Sequence, residues 1–231
     1  MAFDNLLLER DGAVACLTIN RPAVLNALNI QTLDELALEV ERAALSLDQL
    51  WVPAVENRGE GVFVGLDPRA VEAWLGRKAV KARGERLIAG FDAWKALHPG
   101  VSANFPGLPY VLLHSLSHLL ITAVALECGY AASSIRERIY VGEAGYGILL
   151  YTASPDAEGT LGGLVQTADR IDQYLRDAIE LGRLCANDPV CAQHQPDNKE
   201  EERFLLGAAC HGCLLLAESS CERRNDFLDR T

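Results

Sequence analysis

Cys185-Ala186-Asn187-Asp188-Pro189-Val190-Cys191, followed by Cys210-His211-Gly212-Cys213 and then by Cys221, is the stretch that decides how the chain is read. It holds five of the seven cysteines. Two thiols three positions apart in a tight turn can face one ion, and Gly212 offers the backbone freedom such a turn tends to need. Zinc takes four ligands and tolerates a long loop between ligand pairs, so Cys185, Cys191, Cys210, Cys213 and Cys221 suffice with one to spare. Two other fates are open to these thiols. Isolated cysteines such as Cys16 and Cys128 pack as small hydrophobes, and cysteine-rich secreted chains form disulfides. The opening Met1-Ala2-Phe3-Asp4 lacks the basic and apolar regions of a secretory signal, which favours reduced thiols in the cytoplasm and therefore bound zinc.

Working outward, the 231 residues are 49% apolar, enough for a sizeable core in one domain or in one domain with an appendage. The longest apolar run, Leu119 to Leu126, is too short to span a bilayer. A net charge of -11 disfavours nucleic-acid binding by the surface as a whole. Arg69, Arg77, Lys78, Lys81, Arg83 and Arg86 nevertheless form a local basic face, which suits DNA phosphates or simply a solvated helix.

Asn5 to Arg10 and Ala13 to Asn20 read as two strands around Asp11-Gly12, a favoured hairpin turn, and Gln31 to Leu45 has helical spacing. Val62 to Leu66 reads as a strand, with Asp67-Pro68 starting a helix after it. A second helix is expected from Lys78 to Leu97, broken or kinked near Gly84 or Gly90 and stopped by Pro99-Gly100. Tyr110 to Cys128 is apolar nearly all round and ends at Gly129, as a buried central helix should. It carries His114 and His118 one turn apart. That spacing suits a shared metal ion, but no third ligand is apparent, so histidines hydrogen-bonded within the core, or facing a partner, are the preferred reading. Ile135 to Val141 and Gly147 to Ala153 read as strands joined through Gly142-Glu143-Ala144-Gly145. A glycine-containing loop with Asp156 and Glu158 leads into a helix from about Leu164 to Leu184; it lacks the lysine and spacing of a phosphate loop. The expected class is α+β: a helix-rich domain with a small sheet and a cysteine zinc site, preceded by a hairpin and helix.

Two resemblances add to this. Asn20-Arg21-Pro22-Ala23-Val24-Leu25-Asn26-Ala27-Leu28, after a hairpin and before a helix, resembles the start of the crotonase (enoyl-CoA hydratase/isomerase) family. The likeness covers residues 1–46 and implies that Asn26, Ala27 and Leu28 match early coenzyme A contacts. The oxyanion-hole loops that such chemistry needs have no counterpart downstream of Ser46, so an acyl-CoA hydratase/isomerase is the alternative reading and is expected to be inactive.

Residues 47–231 are similar to the MrfA-associated zinc-binding domain family, in the form carried by a component of the DISARM antiphage system. The supporting residues are Leu113-His114-Ser115-Leu116-Ser117-His118, Ser133-Ser134-Ile135-Arg136-Glu137-Arg138, Thr160-Leu161-Gly162-Gly163 and Gly207-Ala208-Ala209-Cys210-His211-Gly212-Cys213 through Cys221. The resemblance implies structural zinc on Cys210, Cys213 and Cys221, with Cys191 ahead of Cys185 as fourth ligand. It further implies a DrmA-like helicase partner, with DNA reached through the Arg69–Arg86 helices, and no catalytic residue in this chain. Together the two likenesses divide the chain into residues 1–46 and 47–231.

Overall fold

The computed structural model describes residues 3–11, 14–24, 29–33, 35, 59–152, 163–198 and 203–231. The chain separates into two compact units, Met1–Glu56 and Asn57–Thr231. In the first, β1 (Leu6–Asp11) and β2 (Val14–Ile19) pair antiparallel. The hairpin forms as expected, but Asp11 pairs with Val14 as the last residue of β1 rather than opening the turn at Asp11-Gly12. A 3-10 turn follows at Pro22–Val24. Asn29 then caps the next turn, its Oδ1 accepting from the Thr32 amide at 2.8 Å. Asn26, Ala27 and Leu28 lie outside the described residues, as does most of the Gln31–Leu45 segment.

The second unit is α+β. β3 (Gly61–Leu66), β4 (Ile135–Gly142) and β5 (Gly145–Thr152) form an antiparallel sheet in the order β3-β5-β4. Period-two alternation places Val62 and Val64 of β3, Ile148 and Leu150 of β5, and Ile135 and Ile139 of β4 in one buried core. Outside, Phe63 lies over Gly147 and meets Tyr140 edge-on at 5.8 Å between centroids. A side chain at Gly147 would displace that ring.

α1 (Pro68–Leu75) begins where Asp67 accepts from the Arg69 amide at 2.9 Å. α2 (Lys78–Leu97) has the expected bounds, but it is one uninterrupted helix. Gly84 and Gly90 do not break it; they are places where other chain segments come close. A Cβ at Gly84 would press on the Leu108 side chain, and one at Gly90 would sit 2.5 Å from both the Phe204 carbonyl oxygen and Pro196 Cβ.

α3 (Leu108–Cys128) is the central helix. It carries proline in its first turn and ends at Gly129, whose φ of 70° is the left-handed conformation glycine adopts readily. Taken as a whole helix rather than as the run Leu119–Leu126, the 21-residue α3 contains an 18-residue window of mean hydropathy 1.6 and is long and apolar enough to cross a membrane. Its burial explains the composition, since 61% of that window is covered by the sheet, by the helix that follows and by the C-terminal segment. The following segment is a short α4 (Gly163–Gln166), a 3-10 turn (Thr167–Arg170) and α5 (Ile171–Arg183), rather than one continuous helix. α5 places Tyr174, Ala178 and Gly182 inward, and Gly182 lets Leu119 of α3 come close. The loop containing Asp156 and Glu158 lies outside the described residues.

From Leu184 onward the described residues form turns and irregular chain held by specific bonds. Residues 205–208 pair with 227–230: Phe227 N donates to Leu205 O at 2.8 Å, Gly207 N to Leu228 O at 2.8 Å, and Arg230 N to Ala208 O at 3.2 Å. Asp229 fastens this pairing to α2, accepting from Arg83 Nε at 2.6 Å and Nη2 at 3.2 Å.

Candidate metal centre

Two chain segments meet at the thiols. The first runs on from the end of α5, where Asp188 N donates to Cys185 O at 3.0 Å and Cys191 N to Asn187 O at 3.0 Å. The second is the turn of Cys210-His211-Gly212-Cys213, closed by Cys213 N and Leu214 N on Cys210 O at 3.0 and 3.1 Å. Together they bring Cys185, Cys191, Cys210 and Cys213 into one group, with all four sulfurs within 4.8 Å of one another.

Cys185 and Cys210 sulfurs are 3.3 Å apart, Cys191 and Cys213 3.8 Å, and Cys210 and Cys213 3.8 Å. A disulfide is about 2.05 Å long, so these are free thiols. A tetrahedron with Zn–S bonds of about 2.3 Å has edges of about 3.8 Å, so the spacing and the all-sulfur donor set fit zinc. Gly212 works by close approach: a Cβ there would lie 3.3 Å from Cys185 Sγ and 3.6 Å from Cys210 Sγ.

Donors surround the sulfurs. Cys210 Sγ accepts from Gly212 N at 3.3 Å and Asn187 Nδ2 at 3.2 Å; Cys213 Sγ accepts from Cys210 N at 3.3 Å, and Cys185 Sγ from Asn187 N at 3.4 Å. Burial opposes ionisation of Cys210, but hydrogen bonds from Asn187, Cys185 and Gly212 outweigh it and lower the thiol to about 6. Burial is also the largest influence on Cys191, whose thiol is pushed well above its ordinary range. Thiols must lose their protons to bind a metal, and a shared divalent cation would offset the buried negative charge that results. Arg230 supplies positive charge near Cys191: it pairs with Asp188 and donates to Gly182 O at 3.2 Å.

Cys221 does not join this group. It stands with His114, His118 and Glu137, whose donor atoms likewise lie within 4.8 Å of one another. The reason is the route of the chain after the knuckle: Glu137 N donates to Ser220 O at 3.1 Å and Ser220 Oγ to Ala132 O at 2.9 Å, so residues 220–222 run beside β4 and over α3. The sequence reading placed Cys221 with the knuckle and chose between Cys185 and Cys191; the structure puts both of the latter at the knuckle. It gives His114 and His118 two further neighbours, Glu137 and Cys221, that could act as ligands. Glu137 had a signal. In Ile135-Arg136-Glu137-Arg138-Ile139, strand alternation puts its carboxylate on the inward face with two isoleucines, where an unpartnered charge is costly.

Of the basic residues between Arg69 and Arg86, Arg83 turns inward to Asp229 and Arg86 bonds Gln195, while Arg69, Arg77, Lys78 and Lys81 are exposed.

Fold and donor set together define a metal-binding α+β domain, and residues 116–214 match the family model described as the MrfA Zn-binding domain. Among individual proteins, the chain is similar to the DISARM protein DrmB of Bacillus paralicheniformis, 38% identical over 184 residues that make up 78% of this chain and 32% of that protein. The chain thus spans about a third of that relative. A separate likeness, 56% identity over 36 residues, links it to the short-chain-enoyl-CoA hydratase of Clostridium acetobutylicum, covering 16% of this chain and 14% of that enzyme.

Proposed function

We propose that this chain is a zinc-binding accessory unit of a DISARM-type antiphage complex, acting beside a DrmA-like helicase in the cytoplasm and carrying out no catalysis of its own. The observation that carries the reading is the convergence of Cys185, Cys191, Cys210 and Cys213 within the reach of one ion, all four of them inside the matched segment 116–214. Zinc held by four thiolates supplies cross-linking only, because no coordination position remains for a reactant. The residues do the rest. Asn187 and Gly212 steady the sulfurs, Arg230 offsets part of their charge, and the fixed knuckle aligns residues 205–208 with the C-terminal segment that Asp229 ties to α2.

In this proposal residues 47–231 are the functional unit. The exposed Arg69 of α1, Arg77 between the helices, and Lys78 and Lys81 of α2 are the surface offered to DNA. Residues 1–46, including Asn26, Ala27 and Leu28, are a crotonase-type fragment without activity. The test is co-purification of the zinc-loaded chain with a DrmA-type helicase. Co-elution that is lost in Cys213→Ser supports the reading; no association with the zinc-loaded wild type contradicts it. Measurable hydration of an enoyl thioester would favour the crotonase alternative instead.

A further inference from the structure

We propose that His114, His118, Glu137 and Cys221 form a second, fully enclosed site for a divalent metal ion of zinc type, separate from the thiolate cluster and structural in role. The inference goes beyond the function proposed above and does not depend on it.

The four groups come from three parts of the chain: one turn of α3, the inward face of β4, and the segment after Ser220. Relative exposures are 0% for His114, 1% for His118, 2% for Glu137 and 9% for Cys221. His114 Nε2 lies 2.9 Å from Glu137 Oε1 and 3.1 Å from Cys221 Sγ, and His118 Nε2 lies 3.2 Å from the same carboxylate oxygen. Edges of a tetrahedron with bonds of about 2.0 Å to nitrogen and oxygen and about 2.3 Å to sulfur run to about 3.3–3.5 Å, close to this spacing.

Proton placement points to a cation. His118 Nδ1 lies 2.8 Å from Leu214 O. A carbonyl only accepts, so Nδ1 carries the proton, and in the neutral ring Nε2 turns a lone pair toward the carboxylate. His114 Nδ1 has no partner, and its Nε2 also faces Glu137 and Cys221. Without an ion, neutral His114 can donate from Nε2, but His118 Nε2 can meet Glu137 only as an imidazolium or across a proton held by the carboxyl group, and either the buried charge or the lost carboxylate is costly out of water. With a divalent ion, two neutral rings, one carboxylate and one thiolate sum to zero charge. The donor set contains two nitrogens, one oxygen and one sulfur. It suits zinc better than calcium or magnesium, which prefer all-oxygen surroundings.

The supporting contacts are those a ligand set needs to keep its aim. Leu214 O orients His118, and Ser117 Oγ donates to the other oxygen of Glu137. Cys221 Sγ accepts from Arg223 N at 3.3 Å and Asn225 N at 3.1 Å. Asn225 reaches it from a left-handed conformation, φ 63°, that its side chain holds through 3.0 Å bonds to Leu216 N and O. Four protein ligands leave no open position, and the surroundings are dry, so the ion would join α3, β4 and the C-terminal segment and perform no reaction. Leu214 directly follows Cys213, so the carbonyl that aims His118 is set by the thiolate knuckle.

The test is metal content of the full chain purified with zinc, with the zinc absorption edge recorded on the same sample. The expected result is two ions per chain and a first shell that mixes sulfur with imidazole nitrogen. Glu137→Gln, which preserves shape, and Cys221→Ser should each reduce the count to one while leaving an all-sulfur shell. One ion per chain with sulfur ligands alone in the wild type overturns the inference and leaves the thiolate site standing. One ion bound through histidine retains it and sinks the thiolate reading. Because the wild-type measurement decides by itself, a variant that fails to fold does not block the test.

Discussion

Asp229→Asn replaces one atom at the point where α2, the 205–208 segment and the C-terminus are joined. In the wild type, Asp229 Oδ2 accepts from Arg83 Nε at 2.6 Å, while Oδ1 accepts from Arg83 Nη2 at 3.2 Å, Ala208 N at 3.0 Å, Thr231 N at 3.2 Å and Thr231 Oγ1 at 2.8 Å. An amide can keep its oxygen at only one of these positions. If the oxygen stays with the backbone donors, its NH2 group confronts Arg83 Nε, donor against donor. The carboxylate is 3% exposed and the guanidinium 17%, so little water is at hand to compensate. Breaking a buried ion pair on one side costs about 3–5 kcal/mol, and the partial exposure of Arg83 favours the lower end, about 3 kcal/mol. In a unit of this size that is roughly a 6–12 °C fall in Tm. Arg83→Met should cost less, because the carboxylate keeps its other three donors. The double variant should be less destabilised than the sum of the singles by about 1–2 kcal/mol. Denaturant unfolding of the zinc-loaded chain measures all three. A loss under about 1 kcal/mol for Asp229→Asn, or strict additivity, refutes the view that this pair fastens the C-terminal segment to α2.

Further outcomes follow from the same contacts. Gly90→Ala should lower stability by about 1–3 kcal/mol despite the better helix propensity of alanine, because its Cβ meets the backbone of Phe204 and the ring of Pro196; Gly84→Ala, which meets only the tip of Leu108, should cost clearly less by the same unfolding assay. Arg230→Ala removes the positive charge beside Cys191 and should raise the zinc dissociation constant in a chelator competition, with Arg230→Lys recovering part of the loss. Binding requires deprotonated thiols, so protons compete with zinc; acidification should release it and alkaline titration should not, as a colorimetric chelator would record.

Much of the fold was legible because its punctuation is local. Asp67-Pro68, Pro99-Gly100 and Gly129 each act through their own backbone or cap, and the bounds expected for α2 and the end of α3 agree with the structure. Gly84 and Gly90 misled because a glycine chosen for close packing looks the same in a sequence as one that breaks a helix. Cys210 and Cys213 were legible as a pair from their spacing. The position of Cys221 was not, since its neighbours depend on residues 220–222 crossing β4, a contact made across more than 80 residues of chain. Glu137 could have been found from strand alternation alone, and with it the environment of the two histidines.

The most direct test of the central claim is zinc content per chain before and after Cys213→Ser, with the sulfur content of the metal's first shell read on both. The account predicts a loss of one zinc ion per chain and of the sulfur-only component of that shell. Unchanged zinc content and an unchanged shell in the variant would contradict it.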